Sequence, residues 1–315
     1  MELRHLRYFL AVADAMSFTA AARRLNLAQP ALSQQIRALE KEMGVTLIER
    51  GARTRGLTEA GTCFAVRARR ILLDAEGAAE EMAVFAGARR GRVRFGSALQ
   101  SLTEGRVAAL LAKFHRLHPG LRVAFREAHT RPMLDLLGTG QLDLALIHLG
   151  RGDGSSALRV EFEDTAVEIE RLYEEPLLLA VGPRHRLSGR TSVRWKDLAE
   201  EELVSFGAGS TVRELVAKAT RQAGVQMRAP ISATNLGTVR ALVSAGLGVA
   251  ILPREALTLP GPPLVGVALT APRLTRIVAL ARNPVRYQSP AARAFTDFLR
   301  EGLREERPIR GSLFR

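Results

Sequence analysis

The chain has 315 residues, long for one domain and suited to two or three. At 47% hydrophobic and 25% charged it can fill proper cores, which excludes a disordered or fibrous class, and no run approaches the roughly twenty apolar residues of a membrane span. The net charge of +14 favours polyanionic partners, and residues 1–70, with twelve basic side chains against six acidic, hold +6 of it.

Residues 1–15 predict an amphipathic helix with Leu3, Leu6, Phe9, Leu10 and Ala13 on one side. Glu2 and Asp14 interrupt this stretch, so it lacks the apolar core of a secretory leader and a cytoplasmic protein is expected. Residues 17–26 read as a short helix opened by a Ser or Thr cap and closed at Asn26, with a run of alanines at 20–22 that allows close approach of a second helix.

That second helix is predicted over residues 28–43. Leu32, Ile36, Leu39 and Met43 fall at steps of four, three and four on one face. Pro30, Ser33, Gln34, Arg37 and Lys41 cluster on the other, with no carboxylate among them. Pro30 suits a helix start and Gly44 ends the run. Ser, Gln and Arg donate to phosphates and to base edges in a major groove. On spacing alone, a helix-turn-helix and an ordinary helical hairpin with a solvated polar face fit equally well. The neighbours favour the first: residues 45–50 are strand-like, and after residues 51–56 comes a second short apolar step at Leu57-Thr58. This predicts a two-stranded wing whose tip carries Arg53 and Arg55, groups suited to phosphates or a narrow minor groove.

Residues 18–61, with Ala-Gln-Pro-Ala-Leu-Ser-Gln-Gln-Ile-Arg-Ala-Leu-Glu and Leu-Thr-Glu-Ala-Gly, resemble the winged helix-turn-helix of LysR-type transcriptional regulators. Ile48 stands where that family usually has Phe and keeps the apolar role. The resemblance implies Pro30, Ser33, Gln34 and Arg37 in a major groove, Thr19 and Gln29 on phosphates at the two helix starts, and Arg50, Arg53 and Arg55 on the flanking backbone. It further implies a double-stranded operator that is an interrupted near-palindrome, a homodimer or homotetramer, and RNA polymerase as a candidate partner.

Residues 58–88 have helical spacing, with Phe64, Ile71, Leu72, Ala75, Ala79, Met82 and Phe85 as an apolar stripe that wants a partner helix. The resemblance makes it the linker through which subunits pair. Cys63, the single cysteine, rules out a disulfide within the chain and reads as a small buried packing group. Residues 86–91, small and basic, mark a boundary.

Beyond it strands and helices alternate, as in a parallel or mixed sheet covered on both faces. Strands are expected at 92–98, 121–128, 142–148, 176–181, 203–206, 226–233, 249–252 and 276–281. Helices are expected at 104–118, 131–137, 195–201, 211–223, 236–245 and 290–303. The acidic run 161–175 reads as an insertion or an exposed strand pair. The resemblance implies an overall α/β architecture of three parts: a winged helix-turn-helix over 1–60, a linker helix over 61–90, and a two-lobed periplasmic-binding-protein-like domain over 91–303. It places lobe I at about 91–162 and 270–303 and lobe II at about 163–269, leaving 304–315 as a flexible tail.

In open α/β sheets ligands bind beyond the carboxyl ends of strands. Those loops are rich in hydroxyls and amides beside helix starts that attract anions, so a small carboxylate or aromatic acid is the expected effector and no cofactor is expected. By resemblance the effector lies between the lobes, against Ser97, Gln100, Ser101, Thr130, Ser205, Phe206 and Asn235. Enzyme chemistry finds little support. His115 and His118 have helical metal-ligand spacing without a supporting Cys or carboxylate, and there is no phosphate loop, nucleophile elbow or dinucleotide turn. An α/β enzyme or solute-binding domain fused to a DNA-binding module is the alternative, distinguished by turnover of a substrate or by export.

Overall fold

A computed structural model of the chain describes residues 1–49, 56–85, 91–98, 105–150, 157–162 and 165–305. It divides into two compact units, Met1–Ala88 and Arg89–Arg315.

In the first unit α1 (Leu3–Ala15), α2 (Phe18–Arg24) and α3 (Gln29–Met43) enclose one apolar core of Leu6, Phe9, Val12, Ala21, Leu32, Ile36 and Leu39. Ser17 caps α2 by accepting from the Ala20 amide, and Asn26, at φ 54°, turns the chain while the Leu27 amide closes on the Ala22 carbonyl. Asn tolerates that left-handed conformation better than most residues, which explains its place in the turn. Ala21 and Ala22 are buried, so the small side chains do admit the neighbouring helix. Met43 is 40% exposed: the inward stripe of α3 stops at Leu39, and Gly44, at φ 71°, ends the helix directly after Met43.

The wing is the antiparallel pair β1 (Ile48–Glu49) and β2 (Gly56–Leu57). Glu40 ties it to α3, its Oε1 accepting from the amides of Leu47 (2.9 Å) and Ile48 (3.1 Å). Thr58 then starts α4 (Glu59–Phe85), its hydroxyl accepting from the Gly61 amide and donating to the Thr46 carbonyl. Gly61 is required there: a Cβ would lie 1.9 Å from the Leu47 carbonyl oxygen. The first half of α4 is covered: Ala65 and Ala68 are buried, Phe64 lies against Phe9, and Leu72 packs on the same core. Further along, Ile71 and Met82 are exposed, 39% and 58%. Cys63 is also exposed, contrary to the expectation, because it lies off the face that Ala65 and Ala68 turn inward.

The second unit is built from two lobes on shared strands. In lobe I the sheet order is β4 (Leu121–Ala128), β3 (Gly91–Ala98), β5 (Leu144–Gly150), β13 (Thr275–Arg282) and β7 (Thr165–Val181), with β6 (Ala157–Phe162) also on β7. Helices α5 (Arg106–Leu117) and α9 (Pro290–Glu305) cover one face through Phe95, Phe114 and Phe295. Helix α6 (Thr130–Gly138) covers the other through Met133 and Leu137. Lobe II holds β8 (Ser192–Arg194), β9 (Glu202–Phe206), β10 (Arg228–Ala233), β11 (Ala250–Pro253) and β12 (Val265–Thr270) with α7 (Thr211–Ala223) and α8 (Leu236–Ser244), around a core that includes Trp195.

The strand β7 serves both lobes. Seventeen residues at about 3.3 Å each reach roughly 56 Å. Residues 168–176 pair with β13 in lobe I, and residues 177–181 pair with β11 and β12 in lobe II. The first crossing is therefore at 176–177 and not near 163; the chain returns between β12 and β13. The acidic run is a strand because distant arginines partner its carboxylates: Glu168 meets Arg282 at 3.0 Å and Glu170 meets Arg300 at 2.9 Å, while Val167 and Ile169 face the core. The closing helix runs on to Glu305, beyond the expected end at 303.

Candidate nucleic-acid interface and effector cleft

On α3 the apolar and polar faces separate cleanly. Leu32, Ile36 and Leu39 are fully buried, whereas Gln29, Pro30, Gln34, Arg37 and Lys41 are exposed and Ser33 is half-buried. Thr19, near the start of α2, is exposed as well. Pro30 lies in the first turn, where its missing N–H costs nothing. Gln35 turns inward instead, its Oε1 lying 3.2 Å from His5 Nε2. Gln34, like Gln29, stays outward, one turn before the exposed Arg37. Arg50, Arg53 and Arg55 lie outside the described residues.

In the second unit the expected ligand residues fall into two groups. Gln100 and Ser101 lie outside the described residues. Ser97 lies within β3, 0% exposed, and its hydroxyl has no hydrogen-bond partner. Thr130 donates to the His148 carbonyl (3.1 Å) and accepts from the His148 amide (3.2 Å), so its hydroxyl ties α6 to β5. In lobe II, Ser205 donates to the Phe206 carbonyl, and Phe206 is a core residue whose ring is not at a cleft surface. The parallel pairing of β9 and β10 explains this, since it sets Phe206 beside Ala233 with its side chain turned into the lobe. Asn235 is exposed and caps α8, its Oδ1 accepting from the Thr238 amide.

What brings the lobes together lies mostly outside that set. Thr211, at the start of α7, donates to the same His148 carbonyl from the other lobe at 3.4 Å. Gly209, at φ +82°, lies so close to His129 that a Cβ would be 3.3 Å from the ring. The His148 ring is buried, with Nδ1 3.4 Å from Arg276 Nη1. Burial first, and the Arg276 charge second, hold His148 well below its ordinary value of 6.5, so it is neutral. Arg276 in turn pairs with Glu175, and the two residues face each other in the β13–β7 register where both strands leave lobe I. They are 0% and 2% exposed. Burial pushes the Glu175 carboxyl up against the opposing pull of Arg276, with the nearby Glu255 charge adding to the rise. Arg106 at the start of α5 lies 3.9 Å from Glu255 of lobe II and covers the Tyr173 ring at 5.2 Å. His148 was visible in the sequence only as a strand-end residue. Glu175, Arg276, Arg106 and Glu255 carried no spacing signal.

Family models match both units. Residues 3–62 match the bacterial regulatory helix-turn-helix protein of the lysR family, and residues 86–304 match the LysR substrate binding domain. The chain belongs to the LysR family of transcriptional regulators. It is 32% identical over 257 residues to the HTH-type transcriptional regulator BudR of Raoultella terrigena, covering 81% of this chain and 85% of that one. Among solved structures it is similar to a full-length OxyR variant from Pseudomonas aeruginosa, with TM-score 0.70 and 26% identity over 96% and 95% of the two chains. It also matches full-length CbnR complexed with its target DNA, with TM-score 0.65 and 25% identity over 96% and 100%.

As a LysR regulator the chain is a sequence-specific DNA-binding protein with a small-molecule effector domain, and it is not an enzyme. Its winged helix-turn-helix and two-lobed α/β fold agree with the expected class. No described helix is long and apolar enough to cross a membrane.

Proposed function

We propose that α3 reads base edges with Gln34 and Arg37, that Pro30 and Ser33 line the same groove, and that Thr19, Gln29 and the wing arginines Arg50, Arg53 and Arg55 hold phosphates. The observation that carries this is the exposed face of α3, amide and cation side by side without a carboxylate, on a helix fixed by three fully buried side chains. The DNA complex of CbnR supports the assignment of this domain to operator binding.

Residues 1–60 are the DNA-binding part, 61–90 the linker and 91–303 the effector domain. The exposed apolar residues of α4 support pairing of two chains through that helix, which sets two reading heads at a fixed spacing. A dimer, or a tetramer formed from two, then contacts an interrupted near-palindrome in the cytoplasm, with RNA polymerase as a downstream partner. An effector of the small carboxylate or aromatic acid class enters between the lobes near Ser97, Gln100, Ser101, Thr130, Ser205 and Asn235. It shifts lobe closure by binding the two states unequally.

Selection of operators by the full-length chain from random duplex, followed by footprinting, tests the reading. Enrichment of two half-sites related by a dyad is the expected result. Random sequence recovered with equal yield overturns it.

A further inference from the structure

The start of α1 is joined to one edge of α3 through a single histidine. The Glu2 amide lies 3.1 Å from His5 Nδ1, and a backbone N–H can only donate. With Nδ1 thus an acceptor, the hydrogen of the neutral ring sits on Nε2 and is donated to Gln35 Oε1 at 3.2 Å. That orients the Gln35 amide as well. Its oxygen is spent on His5, and its nitrogen, with two donors, meets no partner among the described residues. Gln34 differs, because no described residue holds either end of its amide. A bidentate pair with adenine needs both ends, oxygen and nitrogen, so Gln34 can form one and Gln35 cannot.

The place of Gln35 on the helix says what its two donors meet. At about 100° per residue it stands between the outward Gln34 and the fully buried Ile36, half-buried like Ser33 on the opposite edge. A helix about 10–12 Å across fills a major groove about 12 Å wide, which leaves a phosphate strand along each of its edges. We propose that Gln35 donates to a backbone phosphate at the rim of the groove and that His5 is the positioning residue that aims it. This contact carries no sequence information; it seats α3 at one depth and register while Gln34 meets the bases. The inference rests on the α3 reading above and adds a residue pair to it. Glu42, two turns further along the same edge, is engaged by the Met1 ammonium, which offsets its charge there.

The test follows the anisotropy of labelled duplex with the full-length chain, on the selected operator and on random sequence at one salt concentration. Gln35→Glu keeps an oxygen for His5 and puts a second one where the donors were. It is expected to weaken binding about tenfold or more on both duplexes, with the ratio between them unchanged. His5→Leu frees the amide and is expected to weaken both about threefold, whereas His5→Gln, whose amide nitrogen takes the place of the ring Nε2, is expected to restore them. In a Gln35→Met background His5→Leu should cost nothing further, since the group it positions is gone. Unchanged affinity of Gln35→Glu for random duplex overturns the phosphate contact and leaves the α3 reading standing. Loss of discrimination alone puts Gln35 on a base edge and overturns it too. An equal loss from His5→Leu in both backgrounds reduces His5 to a tie between helices and overturns its positioning role. An unmodified chain that prefers no operator removes the α3 reading, and this inference with it.

Discussion

The two units use polar side chains in opposite ways. In the first, the chemistry lies outside: Gln34 and Arg37 are exposed, and the core beneath them is wholly apolar. In the second, the polar groups that join the lobes are inside: Arg276, Glu175 and His148 are buried and reach one another across three strands. The difference follows from the tasks. A surface that meets a polyanion gains from solvated donors that are desolvated only on binding. A junction that must hold two lobes in few arrangements gains from buried groups that tolerate little displacement, because an unpaired one is costly.

The largest expected effect that could break this contrast is in the buried half. Arg276→Met leaves Glu175 without its cation and should cost about 3–5 kcal/mol, read from urea unfolding followed by Trp195 fluorescence. A loss no larger than that of a surface substitution would mean that the pair does not hold the junction. Glu40→Ala tests the rule in the first unit at a structural carboxylate between α3 and the wing. It strips the acceptor from two backbone amides and should cost about 1–3 kcal/mol, seen as roughly 5- to 150-fold faster hydrogen exchange at Leu47 and Ile48. Unchanged exchange there would show that α3 does not set the wing.

His148 sharpens the comparison through pH. Its folded value lies well below the unfolded one near 6.5, so the unfolded chain binds the extra proton. Stability from this group is therefore complete above about 6.5 and declines as pH falls below it, by at most about 1.4 kcal/mol per unit. His148→Gln should flatten that limb of the Trp195 transition; an unaltered slope would place the titration elsewhere. The smallest effect is at Met43, exposed at the end of α3: Met43→Gln should stay within about 0.5 kcal/mol by calorimetry, and a larger loss would return this residue to the core.

The same contrast explains what could be read in advance. Helix periodicity exposed α3 because its partners, Leu32, Ile36 and Leu39, are near in sequence and alike in chemistry. It overreached at the ends of helices: at Met43 on α3, and at Leu3 on α1, which was placed on the inward side and is 42% exposed. Strand patterns found most of the lobe cores but left the 161–175 run as an insertion or an exposed strand pair; it is paired, as β6 on β7, yet inward at Val167 and Ile169, and the arginines that neutralise Glu168 and Glu170 are more than a hundred residues away. The lobe junction was hidden for the same reason. Arg276 and Glu175 meet through strand register, and Thr211 reaches His148 from another lobe, and no local spacing records either contact. Cys63 was misjudged because being small says nothing about which way a helix position faces.

The central claim is that the outward face of α3 reads bases. Its most direct measurement is the affinity of Gln34→Ala for the selected operator and for single-base variants of it, at fixed salt. Loss of about 1–3 kcal/mol of discrimination, with affinity for random duplex unchanged, is the predicted result. Discrimination equal to that of the unmodified chain would contradict it.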